Sequence, residues 1–156
     1  MPFEWPKFGH VVTIIFSIGL AEGTILPTLL AARRRDVLGI RAGIAMGEVG
    51  EKLANPFLIV SIVFGVGAAL TGQIDLTAPW LVTTYLILLA MFALVALGGF
   101  RHFERIKEAA AASPVDAPSS KLVRLLDSRW TLALSFLPPL AMAAIVYLMV
   151  VKPMLW

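Results

Sequence analysis

The sequence contains no cysteine, and only 15% of its 156 residues are charged. The lack of cysteine excludes disulfides, thiolate zinc sites, Cys-ligated iron–sulfur clusters and cysteine nucleophiles. The charged fraction lies well below the roughly 25% that is usual in soluble domains, and 59% of the residues are hydrophobic. A chain with so little polar surface is typical of proteins whose surroundings are lipid.

The sequence contains four apolar runs. Each is long enough, as a helix, to cross roughly 30 Å of hydrocarbon. Asn55 and Pro56 predict the start of the second helix, as N-cap and first helical residue. A segment rich in Ala, Ser and Pro, about 109–120, predicts a linker, and a short interfacial helix is expected after it. The predicted fold is an all-α integral membrane four-helix bundle forming one domain. Its helices are expected at about residues 10–32, 53–72, 80–100 and 130–151.

Basic residues are concentrated in two of the connections. Eleven of the 13 lysines and arginines lie after the first and third predicted helices. Because cytoplasmic connections carry the excess of Lys and Arg, both termini are predicted to face outward. The net charge of +3 is explained by this pattern, so no nucleic acid is expected as a partner. The expected partners are membrane lipids and other membrane subunits or further copies of the chain.

Glu22 is a carboxylate near the middle of the first apolar run. A charged residue at mid-helix costs about 2.5–3.5 kcal/mol on insertion scales, so we expect Glu22 to face other helices. It shares a side of its helix with Gly19 and Gly23, a small-residue pattern that permits close helix approach. Ser61 and Ser135 are expected at similar depth. The favoured interpretation is a protonated Glu22 in an interhelical contact; the alternative is a site for a proton, cation or polar headgroup.

His10 is one of only two histidines. The predicted topology places it near the outer face and His102 at the opposite end, which excludes a bis-histidine haem within one chain. A single-histidine contact with haem or quinone stays open. The favoured interpretation is an interfacial histidine bonded to Asp75, Tyr85 or water. No catalytic motif and no metal-ligand cluster is evident in the sequence.

Several features together resemble a family of bacterial four-helix predicted integral membrane proteins of unknown function. They are the early His10, the arginine cluster, a glycine-rich second helix and the sequence DLTAPWLVTTYLILL, and the likeness covers most of residues 8–110. More remotely, this layout is similar to four-helix membrane protoporphyrinogen oxidases and copper-resistance D proteins. Those proteins also carry a histidine early in the first helix, which His10 matches. The resemblance implies a multi-pass protein of the bacterial cytoplasmic (inner) membrane.

Three functions follow from these residues. The favoured one is a small non-enzymatic membrane protein, acting as an accessory or self-associating subunit. The first alternative is a haem- or quinone-linked redox protein that uses His10. The second is a proton-coupled transporter component that uses Glu22.

The predicted orientation can be tested directly, because a cysteine-free chain allows single-cysteine labelling. A membrane-impermeant maleimide added to intact cells should label Gln73→Cys. It should label Arg34→Cys only after the cells are opened, because Arg34 belongs to a basic connection that stays inside. The reverse labelling pattern would overturn the orientation.

Overall fold

A computed structural model describes residues 4–153, and every regular element in that range is helical. This confirms the all-α class. Four helical stretches are long and apolar enough to cross a membrane: Trp5–Arg33, Val37–Thr71, Pro79–Ala112 and Ser120–Val151. The helices within them are α1 Trp5–Glu22, α2 Ile25–Arg33, α3 Val37–Thr71, α4 Pro79–Leu94, α5 Phe100–Ala112, α6 Ser120–Leu126 and α7 Arg129–Val151, and a π-helical segment, Val95–Gly99, joins α4 to α5.

The second predicted helix starts in the wrong place. α3 has 35 residues and begins at Val37, so Asn55 and Pro56 lie in its interior and the predicted N-cap is wrong. Asp36 performs the capping instead, its carboxylate accepting from the backbone N–H of Gly39 at 3.0 Å. At 1.5 Å per residue α3 is about 52 Å long, which exceeds a bilayer. Much of the predicted connection after the first helix is therefore helix.

The start of the first span and the end of the third also differ from the prediction, whereas α4 and α7 begin within one residue of the predicted starts at about 80 and 130. The first span begins at Trp5 and is interrupted at Gly23–Thr24, where Pro27 lacks the N–H that would bond the Gly23 carbonyl. α5 continues to Ala112, so the linker is shorter than predicted and comprises residues 113–119. α6 lies where the interfacial helix was expected, and its N-cap is Ser119.

The chain divides into two compact units. The N-terminal unit comprises Met1–Thr28 and Ala42–Leu76, and the C-terminal unit comprises Leu29–Arg41 and Thr77–Trp156.

In the N-terminal unit the first span runs antiparallel to α3 through small residues. Residues later in the first span contact residues earlier in α3. We call this interface the α1–α3 seam. Its contacts pair His10 with Ser61 and Gly65, Ser17 with Ala54, Leu20 with Gly50, Thr24 with Gly47, and Thr28 with Gly43.

In the C-terminal unit α4 and the π-helical segment pack against α7. The ammonium of Lys152 lies 5.5 Å from the ring centroid of Trp80 at one end of this pair. At the other end His102 bonds to Thr131. Residues 80–100 and 130–151 contain no charged side chain. Each stretch is about 32 Å long as a helix, which suits the hydrocarbon of a bilayer.

The most completely buried apolar side chains lie outside these uncharged stretches. Val37, Ile40 and Leu122 have no exposed surface, whereas Leu97 is 81% exposed. We call residues 29–41 and 101–129 of the C-terminal unit the basic cap. In the basic cap, water expels apolar side chains into a core. Along the uncharged stretches no such force acts, because lipid is as apolar as the side chains it touches. The position of the core therefore marks the part of the unit that meets water.

The α1–α3 seam predicts a contrast between two glycines. A Cβ on Gly50 would overlap the carbonyl oxygen of Leu20, while a Cβ on Gly19 would meet nothing within 4 Å. We expect Gly50→Ala to lower the free energy of unfolding by about 1–3 kcal/mol through overpacking. Gly19→Ala should leave it unchanged or raise it slightly, because alanine favours helix. Unfolding in mixed micelles, followed by circular dichroism, checks this; equal effects would contradict the seam.

Candidate functional site

The best-defined polar contact of the N-terminal unit joins His10 on α1 to Ser61 on α3. The ring Nδ1 of His10 lies 2.8 Å from the Ser61 carbonyl oxygen and 3.0 Å from its Oγ. The Ser61 hydroxyl donates in turn to the backbone carbonyl of His10 at 3.3 Å. Ser61 is almost completely buried. The two residues therefore bridge the helices through reciprocal hydrogen bonds.

This geometry fixes the tautomer of His10. A carbonyl oxygen can only accept, so Nδ1 carries the hydrogen, and in the neutral ring Nε2 keeps a lone pair. Nε2 has no hydrogen-bond partner within residues 4–153. Since no buried side-chain nitrogen or oxygen in this range lacks a partner, Nε2 must be accessible from outside the protein. Histidines that bind metals are commonly oriented in this way, by a carbonyl on the other ring nitrogen.

Glycines on both helices make room for the ring and its helix. A Cβ on Gly65 would lie 3.0 Å from Nδ1 of His10. A Cβ on Gly9 would lie 2.8 Å from the ring of Phe64. Larger residues at either position would push the helices apart and lengthen the bond to Ser61. The glycines thus hold His10 in a single orientation.

The structure pairs His10 and Ser61, which the sequence did not predict. His10 was expected to bond to Asp75, Tyr85 or water, and within its own unit its Nδ1 bonds to Ser61. Ser61 was expected at the depth of Glu22, and the register of the α1–α3 seam brings it to His10 instead. The sequence carries no signal for this pairing, because the two residues are 51 positions apart.

Glu22 lies beyond the uncharged part of α3. It follows Leu20, which faces Gly50, and precedes Thr24, which faces Gly47. The uncharged stretch of α3 begins only at residue 53, after the exposed Glu51 and Lys52. Exposed charges of this kind do not face hydrocarbon. The register therefore places Glu22 at the edge of the apolar region of the N-terminal unit, and not at the midplane.

Within the described part of its own unit, Glu22 has neither a hydrogen bond nor an ion pair. The Glu22 carboxyl was expected to be hydrogen-bonded by another group of the chain, and its own unit provides no such group. Ser135, also expected at this depth, belongs to the C-terminal unit and donates to the Thr131 carbonyl of its own helix at 2.7 Å.

His102 forms a separate junction in the C-terminal unit. Its Nε2 lies 2.8 Å from Oγ1 of Thr131. Thr131 donates its own hydroxyl hydrogen to the Leu125 carbonyl at 2.6 Å, so His102 is the donor in their bond. The second histidine thereby ties α5 to the start of α7. No group of three or more His, Cys, Asp or Glu suited to a metal ion occurs among residues 4–153.

Sequence reasoning missed the role of Arg41, which it treated only as a topology signal. Its guanidinium donates to the carbonyls of Ala110, Ala111 and Ser113 at 2.9, 3.0 and 2.6 Å. Ala110 and Ala111 belong to the last turn of α5 and Ser113 is its C-cap, so Arg41 closes that helix. About 70 residues separate the partners, and no local pattern indicates such a contact.

Four long apolar helices and a small-residue interface between two of them define a multi-pass integral membrane protein. Residues 5–153 match the family model described as "Predicted integral membrane protein (DUF2269)". The chain belongs to this family, which confirms the resemblance to four-helix membrane proteins of unknown function. No curated protein and no solved structure gave a significant match.

Proposed function

We propose that the chain binds a membrane-embedded redox ligand through Nε2 of His10. The observation that carries this proposal is the hydrogen bond from Nδ1 to the Ser61 carbonyl at 2.8 Å. That bond leaves an accessible lone pair on Nε2 in the uncharged part of the α1–α3 seam. The geometry thus favours a role for His10 over the interpretation preferred from sequence, a non-enzymatic accessory or self-associating subunit.

The tautomer restricts what can bind. A lone pair on Nε2 can coordinate the iron of a haem or accept a hydrogen bond from a quinol hydroxyl. The carbonyl of an oxidised quinone has no hydrogen to offer to such a nitrogen. A non-haem metal held by several side chains is not supported, since residues 4–153 contain no cluster of ligands. A bound haem would supply one-electron chemistry, while this chain would hold and orient it through His10 and Ser61.

Titration of the purified protein in lipid nanodiscs with hemin and with a ubiquinol tests the proposal. We expect saturable binding of one of them, with a Soret shift if it is hemin. His10→Ala should weaken that binding by at least about tenfold, because the only free ring nitrogen of the site is removed. His102→Ala is the matched control, since His102 is bonded elsewhere, and should bind like the wild type. No saturable binding of either ligand, or equal binding by His10→Ala, would overturn the proposal.

Self-association is a second candidate function, and a different observation favours it. Gly19 has open space on its Cβ side, and a Cβ on Gly23 would meet only the backbone of its own helix. Within the described part of its own unit this small-residue pair therefore packs against no other helix, and Glu22 lies between its members. Such a face suits close packing against another transmembrane helix. The accessory or self-associating subunit expected from sequence is the function that this face supports.

Oxidative crosslinking in native membranes tests self-association in the cysteine-free chain. Gly19→Cys should give a disulfide-linked dimer. Val63→Cys should not, although Val63 on α3 is 66% exposed. Crosslinking of both variants to the same extent, or of neither, would argue against a specific interface at Gly19.

A further inference from the structure

We propose that the junction between α5 and α7 binds the phosphate headgroup of an anionic phospholipid, through Arg101, Arg105 and Arg129 beside Trp130. This site belongs to the C-terminal unit. It is independent of the ligand proposed at His10.

Two contacts bring the end of the π-helical segment and the start of α5 against the start of α7. A Cβ on Gly98 would lie 3.2 Å from the ring of Trp130, so the indole covers this glycine. His102 bonds to Thr131 at 2.8 Å and approaches Oγ of Ser128 at 3.3 Å. Residues 98–102 and 128–131 therefore form one continuous surface.

The three arginines lie in, or next to, the two segments that form this surface. Arg101 precedes His102 in the chain, and Arg129 precedes Trp130. Arg105 is three residues beyond His102, so the two lie on the same side of α5. Each of the three arginines is thus within three residues along the chain of His102 or Trp130, and the Trp130 indole is 46% exposed.

None of these three arginines is used inside the described part of the protein. All are exposed, and none has a hydrogen bond or an ion pair among residues 4–153. Arg35 and Arg41 differ, because Arg35 pairs with Asp127 at 3.0 Å and Arg41 closes α5. Structural roles therefore account for Arg35 and Arg41 and leave the other three guanidinium groups available.

Acidic residues nearby do not neutralise the surface. Glu104 and Glu108 also lie on α5, but neither carboxylate comes within 4.0 Å of one of these arginines. Asp127 is occupied by Arg35. The surface keeps an excess of positive charge.

The depth of the surface indicates a lipid headgroup as its ligand. The uncharged stretches 80–100 and 130–151 end at Arg101 and Arg129. Arg105 lies one helical turn beyond Arg101, so all three arginines are expected at the layer of the phosphates. Tryptophan favours this layer, and guanidinium forms paired hydrogen bonds with phosphate oxygens. A phosphodiester of an anionic lipid offers this chemistry with an acyl chain that can pack beside Trp130.

Native mass spectrometry of the full chain tests the site with phosphatidylglycerol and phosphatidylcholine as probes. We expect the wild type to bind phosphatidylglycerol about tenfold more tightly than phosphatidylcholine, since only the former has a net charge. The variant R101Q/R105Q/R129Q should lose this preference. Lys152→Gln should keep it, because Lys152 is also a basic residue beside a tryptophan but lies at the opposite end of α7.

A lysine variant and a competition with inorganic phosphate distinguish a lipid site from a site for a free anion. The variant R101K/R105K/R129K keeps the charge, and we expect it to keep only part of the preference, because lysine cannot form the paired bonds. Inorganic phosphate at millimolar concentration should not displace phosphatidylglycerol. Displacement by phosphate would indicate a site for a free anion and overturn the lipid assignment. An unchanged preference in both triple variants would overturn the site itself.

Discussion

Close approach of α1 to α3 is the constraint on which the N-terminal unit depends. Lipid provides no hydrophobic force between helices, so they associate through packing and interhelical hydrogen bonds. Glycines at 43, 47, 50 and 65 let the two backbones approach, and the Ser17 hydroxyl donates across the interface to the Ala54 carbonyl at 3.2 Å. This contact fixes the register, and the register decides which polar side chains meet.

The packing differs between the parts of the chain that face lipid and the part that faces water. Side chains such as Leu97 remain exposed along the uncharged helices, whereas Ile40 and Leu122 of the basic cap are fully buried. Water drives burial only where it is present, so the most completely buried apolar side chains lie in the basic cap, beside the spans. Arg41 adds a polar contact to the cap by closing α5.

The contact between His10 and Ser61 serves two purposes in one geometry. It links α1 to α3, and it orients the ring so that Nε2 is left with a lone pair. The proposed ligand site rests on this accessible nitrogen. Glu22 has no comparable setting, because the register moves it away from the midplane where a titrating carboxyl was expected.

The sequence by itself determined the all-α membrane class, the four apolar runs and the short set of polar candidates, because span length and hydropathy are local properties. It could not determine where α3 begins, since Asn55 and Pro56 carry the same local signals inside a long helix as at its start. Only the tertiary structure decided that Ser61 faces His10, that Glu22 lies beyond the uncharged part of α3, and that Arg41 closes α5. Each of these depends on the register between helices that are distant in the chain. Apolar runs that are uniform along their length leave that register unspecified, and glycines and hydrogen bonds fix it.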